Sequence, residues 1–179
     1  MDTDAFFEEE EQSLEMDEIL EKIVFYCFDE ARGKLDAGED VVPFTVVVEG
    51  DQMFVENYPE EDVETCRANA MANVKSASTF ASHFAFCYDG FLMADDGQID
   101  AIVVECATRE MEQSYIIALV YLPHEDAPIE YEQTPAFVDN GESFFDRATV
   151  EKVIASENAD TKEEADLLAH LSGGNEEGE

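Results

Sequence analysis

Residues 82–122 form three apolar runs: Ser-His-Phe-Ala-Phe-Cys-Tyr-Asp-Gly-Phe-Leu-Met-Ala (82–94), Ile-Asp-Ala-Ile-Val-Val-Glu-Cys-Ala (99–107) and Tyr-Ile-Ile-Ala-Leu-Val-Tyr-Leu (115–122). Polar breaks at 95–98 and 109–113 separate them. Runs of β-branched and aromatic residues bounded by turn residues are typical of β-strands. The stretch therefore predicts three consecutive antiparallel strands. The third run is apolar on both sides, so we expect a central strand covered on both faces.

The turn between the first two strands is predicted at Asp96-Gly97, a dipeptide favoured in two-residue hairpin loops. With that loop, Cys87 lies opposite Cys106 in the paired strands. Gly90 stands inside the first strand, where a glycine indicates a bulge or the close approach of another group. A bulge at that point would change the register of the pair.

The chain before this stretch predicts two helices and two strands. Residues 11–37 place apolar side chains at three- and four-residue spacings, which indicates an amphipathic helix that stops near Gly38. Strands are expected at 41–48 and 53–58, joined by a turn at 49–52. A second helix is expected to open at Pro59–Asp62 and to end near Ser78, with alanines that let it lie close to a sheet.

After Pro123 the pattern weakens. An edge strand is predicted at 129–132, residues 136–138 continue it or pack separately, and a turn follows at 139–141. Phe144 and Phe145 are expected to be buried. Helices are predicted at 146–156 and 161–171, the second with a small apolar face formed by Leu167, Leu168 and Leu171.

This order of elements predicts an α+β fold with a single, mainly antiparallel sheet of about five to six strands and helices packed on it. We expect an acidic, frayed segment at 1–11, one domain at 12–156, a C-terminal helical segment at 157–172 and a disordered acidic tail at 173–179. The element order resembles that of roadblock, longin and profilin-like domains over residues 12–156. The resemblance implies a scaffold that acts by dimerisation or partner docking and not by catalysis.

The net charge of the chain limits the kinds of molecule that it can bind. The chain has 45 acidic and 9 basic residues and a formal net charge of -36. Acids occur in every part of it, with 15 in residues 1–40, 22 in residues 41–156 and 8 in the remainder, so the folded surface itself must be negative. Nucleic acid and anionic membranes are poor partners for such a surface, whereas a basic protein, a cation or a salty cytoplasm suits it. The even spread of the acids favours an acidity shared by all proteins of the cell over a charge specific to a basic partner.

The four cysteines are Cys27, Cys66, Cys87 and Cys106, each among apolar residues and none in a CxxC pair. This pattern is typical of reduced, buried thiols in a cytosolic protein. The N-terminus lacks the basic and apolar regions of a secretory signal, and no apolar run approaches the length of a membrane span. We therefore expect a cytoplasmic location and no membrane association.

Few features of the sequence point to catalysis or to metal binding. It contains no Gly-rich phosphate loop, no GxSxG and no HExxH motif, and its three histidines are scattered. His83, Cys87 and Asp89 share one face of a strand and, with Cys106 opposite, are the candidates for a metal or redox site. The alternative is that both cysteines are small core residues. No catalytic residue, cofactor or metal is predicted.

Three functions remain open. The first is a non-catalytic cytosolic protein-interaction domain that forms a homodimer. The second is an acidic inhibitor, immunity-type protein or chaperone that caps a basic partner protein, with binding that weakens with salt. The third is a small-molecule or metal binder with a site at His83, Cys87 and Asp89.

Overall fold

The computed structural model of the protein describes residues 15–177, of which 163–166 and 169–177 are described by their backbone alone. The predicted frayed segment 1–11 lies outside the described residues. The elements in chain order are α1 (Glu18–Asp36), β1 (Phe44–Glu49), β2 (Gln52–Asn57), α2 (Val63–Ala77), β3 (Ala81–Ala94), β4 (Gly97–Thr108), β5 (Gln113–Leu122), β6 (Glu130–Tyr131), β7 (Ala136–Glu142) and α3 (Arg147–Glu177).

The strands form one sheet in the order β2-β1-β3-β4-β5-β6, and β7 also pairs with β5. Every pairing is antiparallel. The predicted α+β class, with helices packed on a single antiparallel sheet, is confirmed. The predicted three-strand unit of residues 82–122 is the centre of that sheet.

The register of the β3–β4 hairpin differs from the prediction. Ala94 pairs with Gly97, so the loop is Asp95–Asp96 and not Asp96-Gly97. A type I′ loop at Asp96-Gly97 would require a positive φ at both residues, but among the described residues no residue other than glycine has one. Gly97 instead takes φ 121° immediately after the turn.

The consequence is that the two cysteines are not directly opposite each other. Cys87 pairs with Val104, and Cys106 pairs with Ala85. Gly90 keeps its place in the ladder, opposite Ala101, so there is no bulge at that point of the β3–β4 pair. A Cβ atom at Gly90 would come within 3.0 Å of the ring of Tyr88, so the close approach is made by a side chain.

Helix α1 covers one face of the sheet. Asp17 caps its first turn by accepting the N–H of Leu20 at 2.7 Å, and Gly38, at φ 75°, follows its last turn as the sequence predicts. The stripe that it buries on β1, β3, β4 and β5 consists of Leu20, Ile23, Val24, Cys27, Phe28 and Ala31. We call this side of the sheet the α1 side.

Helix α2 covers only part of the opposite face, the α2 side. It buries Cys66, Ala70 and Val74 against a group that includes Phe84 and Phe86 of β3. The same group contains the aromatic pair predicted to be buried, Phe144 and Phe145, together with Val150 of α3. The small side chains of α2 let it lie close to the sheet, as expected.

The C-terminal third departs from the prediction in two places. Residues 139–141 are not a turn but part of β7, where a register shift on β5 between Ile116 and Ile117 bends the pairing. The two predicted helices are one continuous helix, α3, which also includes residues 173–177. Of the predicted small apolar face, Leu167 and Leu168 on α3 are 58% and 64% exposed, and the side chain of Leu171 lies outside the described part of the chain.

Candidate functional site

The residues predicted to form a site share the α1 side but do not meet. His83, Cys87 and Asp89 lie on β3 at alternate positions, as the parity of the sequence requires. Four residues of strand separate the first two by about 13 Å, whereas ligands of one metal ion lie about 2 Å from it. Among residues 15–177 no group of three histidine, cysteine or carboxylate side chains could hold a metal ion.

His83 is held at both ring nitrogens. Its Nε2 lies 2.7 Å from Asp17 Oδ2, and its Nδ1 lies 2.6 Å from Ser82 Oγ. A carboxylate only accepts, so Nε2 donates, and in the neutral ring Nδ1 accepts the Ser82 proton. Ser82 is the extra residue of a bulge, because β1 pairs with His83 and then with Ala81.

A serine, a histidine and an aspartate in one hydrogen-bonded chain are the groups that activate a nucleophile. Here the carboxylate has a structural task, since Asp17 Oδ1 also caps α1. Burial raises the pKa of Asp17, but the hydrogen bonds from His83 and Leu20 outweigh it and leave that pKa below its usual value. The chain of contacts ties the start of α1 to the sheet.

The cysteines on this side are core residues. Cys87 Sγ points to the carbonyl oxygen of Cys27 at 3.7 Å, and all four cysteines of the chain are buried and free. Burial raises the pKa of the Cys106 thiol and, together with neighbouring Cys87, that of Cys27. Such thiols are poor nucleophiles and poor metal ligands, because both roles require the thiolate.

Asp89 has a single side-chain partner. Tyr121 Oη donates to its Oδ1 at 2.6 Å. Burial raises the pKa of Asp89, and the hydrogen bond from Tyr121 lowers it in part. The sequence did not predict this pairing, because residues 89 and 121 meet only across β4.

A feature not predicted from the sequence is an apolar area on the α2 side, beyond the part that α2 covers. Cross-strand pairs place Tyr88, Val103 and Ala118 in one row and Gly90, Ala101 and Val120 in the next. We call this area the open face, and its members are Tyr88, Gly90, Leu92, Ile99, Ala101, Val103, Ile116, Ala118, Val120 and Leu122. Its core cluster consists of strand residues alone. Its rim is exposed, with Leu122 at 56% and Ile99 at 39%, whereas Ala101, Val103 and Ala118 at its centre are at most 3% exposed.

The open face explains why the prediction for β5 was only half right. Ile117 and Leu119 are buried under α1, as a strand covered on both faces requires. On the other side, Ala118 is buried, but Ile116 and Val120 are only partly buried, and the cluster that the three share contains no helix residue among those described. The apolar residues of β5 on the α2 side thus form part of a surface that is suited to burial.

Charge is depleted on this face. Among the paired residues of β3, β4 and β5 on the α2 side, Glu105 is the one acid. It is 3% exposed, and Arg67 of α2 reaches it with Nε and Nη2, both at 2.9 Å from a carboxylate oxygen. The guanidinium carbon also lies 5.1 Å from the ring centre of Phe144. Arg67 therefore neutralises the acid at the boundary between the part of the sheet that α2 covers and the open face.

The second exposed feature is β2, the edge strand of the sheet. All six of its residues are exposed, and Met53, Phe54 and Val55 are 44–48% exposed. Beside it lies a cavity of about 400 Å³, which we call the edge groove. The groove is bounded by α1, the segment before β1, and β2, through residues that include Tyr26, Glu30, Asp40, Val42, Phe44 and Val55.

No protein-family model, curated protein or solved structure matches this chain significantly. The likeness to roadblock, longin and profilin-like domains therefore remains one of element order. No helix among residues 15–177 combines the length and the apolar character that crossing a bilayer requires.

Proposed function

We propose that this protein is a non-catalytic protein-interaction domain that self-associates through the open face. One observation carries the proposal: ten neighbouring residues on three strands include no acid, in a chain where acids are 45 of 179 residues. Interface cores are apolar and depleted of charge, with polar residues at the rim. Glu130 and Asp139, which pair with Leu122 and Ile116, supply acids at the rim.

Charge favours a second copy of the chain as the occupant. Two molecules that each carry a formal charge of -36 repel each other wherever acids face acids. They can approach closely only on a face that carries few of them. A basic partner has no such restriction and gains nothing from an acid-free surface. Salt shortens the Debye length from about 8 Å at 0.15 M to about 3 Å at 1 M, so self-association should strengthen with salt.

The test is sedimentation equilibrium at about 0.15 M and about 1 M NaCl, with two neighbouring residues of β3 exchanged for lysine. Leu92 lies on the open face, whereas Phe91 lies on the α1 side and is 51% exposed. We expect a dimer for the wild type and for Phe91→Lys, and a monomer for Leu92→Lys. A second variant on the face, Leu122→Lys, guards against misfolding because its side chain is already 56% exposed.

Two results would overturn the proposal. One is a wild type that stays monomeric at both salt concentrations. The other is equal loss of the dimer in Leu92→Lys and Phe91→Lys, which would show that any added charge disrupts assembly. The cytoplasmic location expected from the sequence stays a prediction.

A further inference from the structure

The backbone of β2 is oriented for pairing on its outer side. Tyr58 N–H donates to the Pro43 carbonyl at 2.8 Å, so this pair is a hydrogen-bonded one. Bonded and non-bonded pairs alternate in an antiparallel ladder. Glu56 and Phe54 therefore bond to β1, and the N–H and C=O groups of Met53, Val55 and Asn57 point away from it. Among the described residues no strand occupies that outer side.

Two of these three residues, Val55 and Asn57, place their side chains in the edge groove. Val55 pairs with Val46, which is buried under α1, so the two share the α1 side. Val55 and Asn57 line the groove. Its floor is aromatic, because Tyr26 and Phe44 meet edge to face with ring centres 6.5 Å apart. A strand added beside β2 would place every second side chain at the mouth of this groove.

Two of the three charged side chains that line the groove are acidic. Glu30 and Asp40 are exposed acids in its lining. The one base in the lining is Lys34, and its Nζ lies 3.7 Å from Glu39 Oε2. An apolar floor with acids above it fits a lysine or arginine side chain, whose aliphatic stem packs on apolar surface while its charged end stays at the polar rim.

We propose that the β2 edge and the edge groove bind an extended basic segment of a partner protein by strand addition. Main-chain hydrogen bonds to Met53, Val55 and Asn57 hold the segment, and alternate lysine or arginine side chains enter the groove toward Glu30 and Asp40. This surface is separate from the open face, which lies on the other side of the sheet. A dimer formed through the open face would present two such grooves.

The probe is a fluorescein-labelled peptide with the sequence Lys-Val-Lys-Val-Lys-Val, and binding is followed by fluorescence anisotropy. Any cation is attracted to so acidic a protein. The control is therefore the same peptide with its lysines methylated at the backbone nitrogen, because this change keeps the positive charges and removes the main-chain N–H donors. On the protein, Val55→Pro removes the outward N–H, and Val55→Ala is its matched control. Binding should weaken about tenfold for the N-methylated peptide and for Val55→Pro, and at most about threefold for Val55→Ala.

Recognition of charge is tested with two further reagents. Replacing the lysines by threonines in the peptide, or combining Glu30→Gln with Asp40→Asn in the protein, should also weaken binding about tenfold. Equal binding of the threonine peptide would overturn the basic partner. Binding that survives both N-methylation and Val55→Pro would overturn strand addition and leave attraction to an acidic surface alone. If Val55→Pro makes a dimeric wild type monomeric, the edge pairs with a second copy and the proposal fails.

Discussion

Removing the positive charge of Arg67 should destabilise the protein far more than removing a surface charge. Arg67→Met removes the guanidinium that lies over Phe144 and leaves the Glu105 carboxylate buried without a counter-ion. Breaking a buried pair from one side costs about 3–5 kcal/mol. A third of the Arg67 side chain is exposed, at 33% against 3% for Glu105, so water reaches the pair from one side. We therefore expect about 3 kcal/mol, at the lower end of that range.

The assay is urea denaturation at neutral pH and constant salt, followed by circular dichroism because the chain contains no tryptophan. In a thermal scan the same loss corresponds to a melting temperature lower by about 6–12 °C, at about 2–4 °C per kcal/mol for a chain of this size. Lys22→Met is the control, because the Lys22–Glu18 pair is 72% and 82% exposed. Its cost should stay below about 0.5 kcal/mol.

A double variant separates the lost pairing from a local packing defect. Arg67→Met combined with Glu105→Met replaces the ion pair by two apolar side chains, which should restore stability to within about 1 kcal/mol of the wild type. The reasoning is refuted if the double variant is as unstable as Arg67→Met alone. It is also refuted if Arg67→Met is no less stable than Lys22→Met.

Two further predictions concern buried groups on the α1 side. Tyr121→Phe should cost about 1 kcal/mol at pH 7. Burial raises the pKa of Asp89, because the ionised carboxylate is the disfavoured form in a buried site. The free-energy cost of Tyr121→Phe should therefore fall as the pH drops through that pKa. Equal losses of stability for Tyr121→Phe in urea at pH 7 and at pH 4 would contradict this. Because burial raises the thiol pKa values of Cys27 and Cys106, iodoacetamide at pH 8 should add nothing at either residue in the folded protein. It should modify all four cysteines in urea, and an adduct on native Cys27 in the mass spectrum of the digested protein would count against the core assignment.

The sequence specified the central strands well, because β-branched and aromatic runs with glycine-marked ends leave few alternatives. Its error in the β3–β4 register came from the turn, where the position of a positive φ decides the pairing. Asp95, Asp96 and Gly97 allow either loop by composition. Only the paired strands select the one in which Gly97 alone takes the positive φ.

The structure does not bring the residues of the candidate site together, for a different reason. Strand parity correctly placed His83, Cys87 and Asp89 on one side, but the four-residue spacing of His83 and Cys87 already separates them by about 13 Å along a strand. The partners of His83 and Asp89 are Asp17 and Tyr121, which are 66 and 32 residues away in sequence. Contacts of that range are set by how α1 and β5 pack, which no local pattern in the chain encodes.

Salt separates the two proposed surfaces more sharply than any single substitution. Contact between two open faces brings together molecules of the same sign, so screening should favour it. Contact between the edge groove and a lysine-rich segment joins opposite signs, so screening should oppose it. Raising NaCl from about 0.15 M to about 1 M should therefore strengthen the dimer and weaken the peptide complex in the same sample. If both responses have the same sign, at least one of the two surfaces has been assigned to the wrong kind of partner.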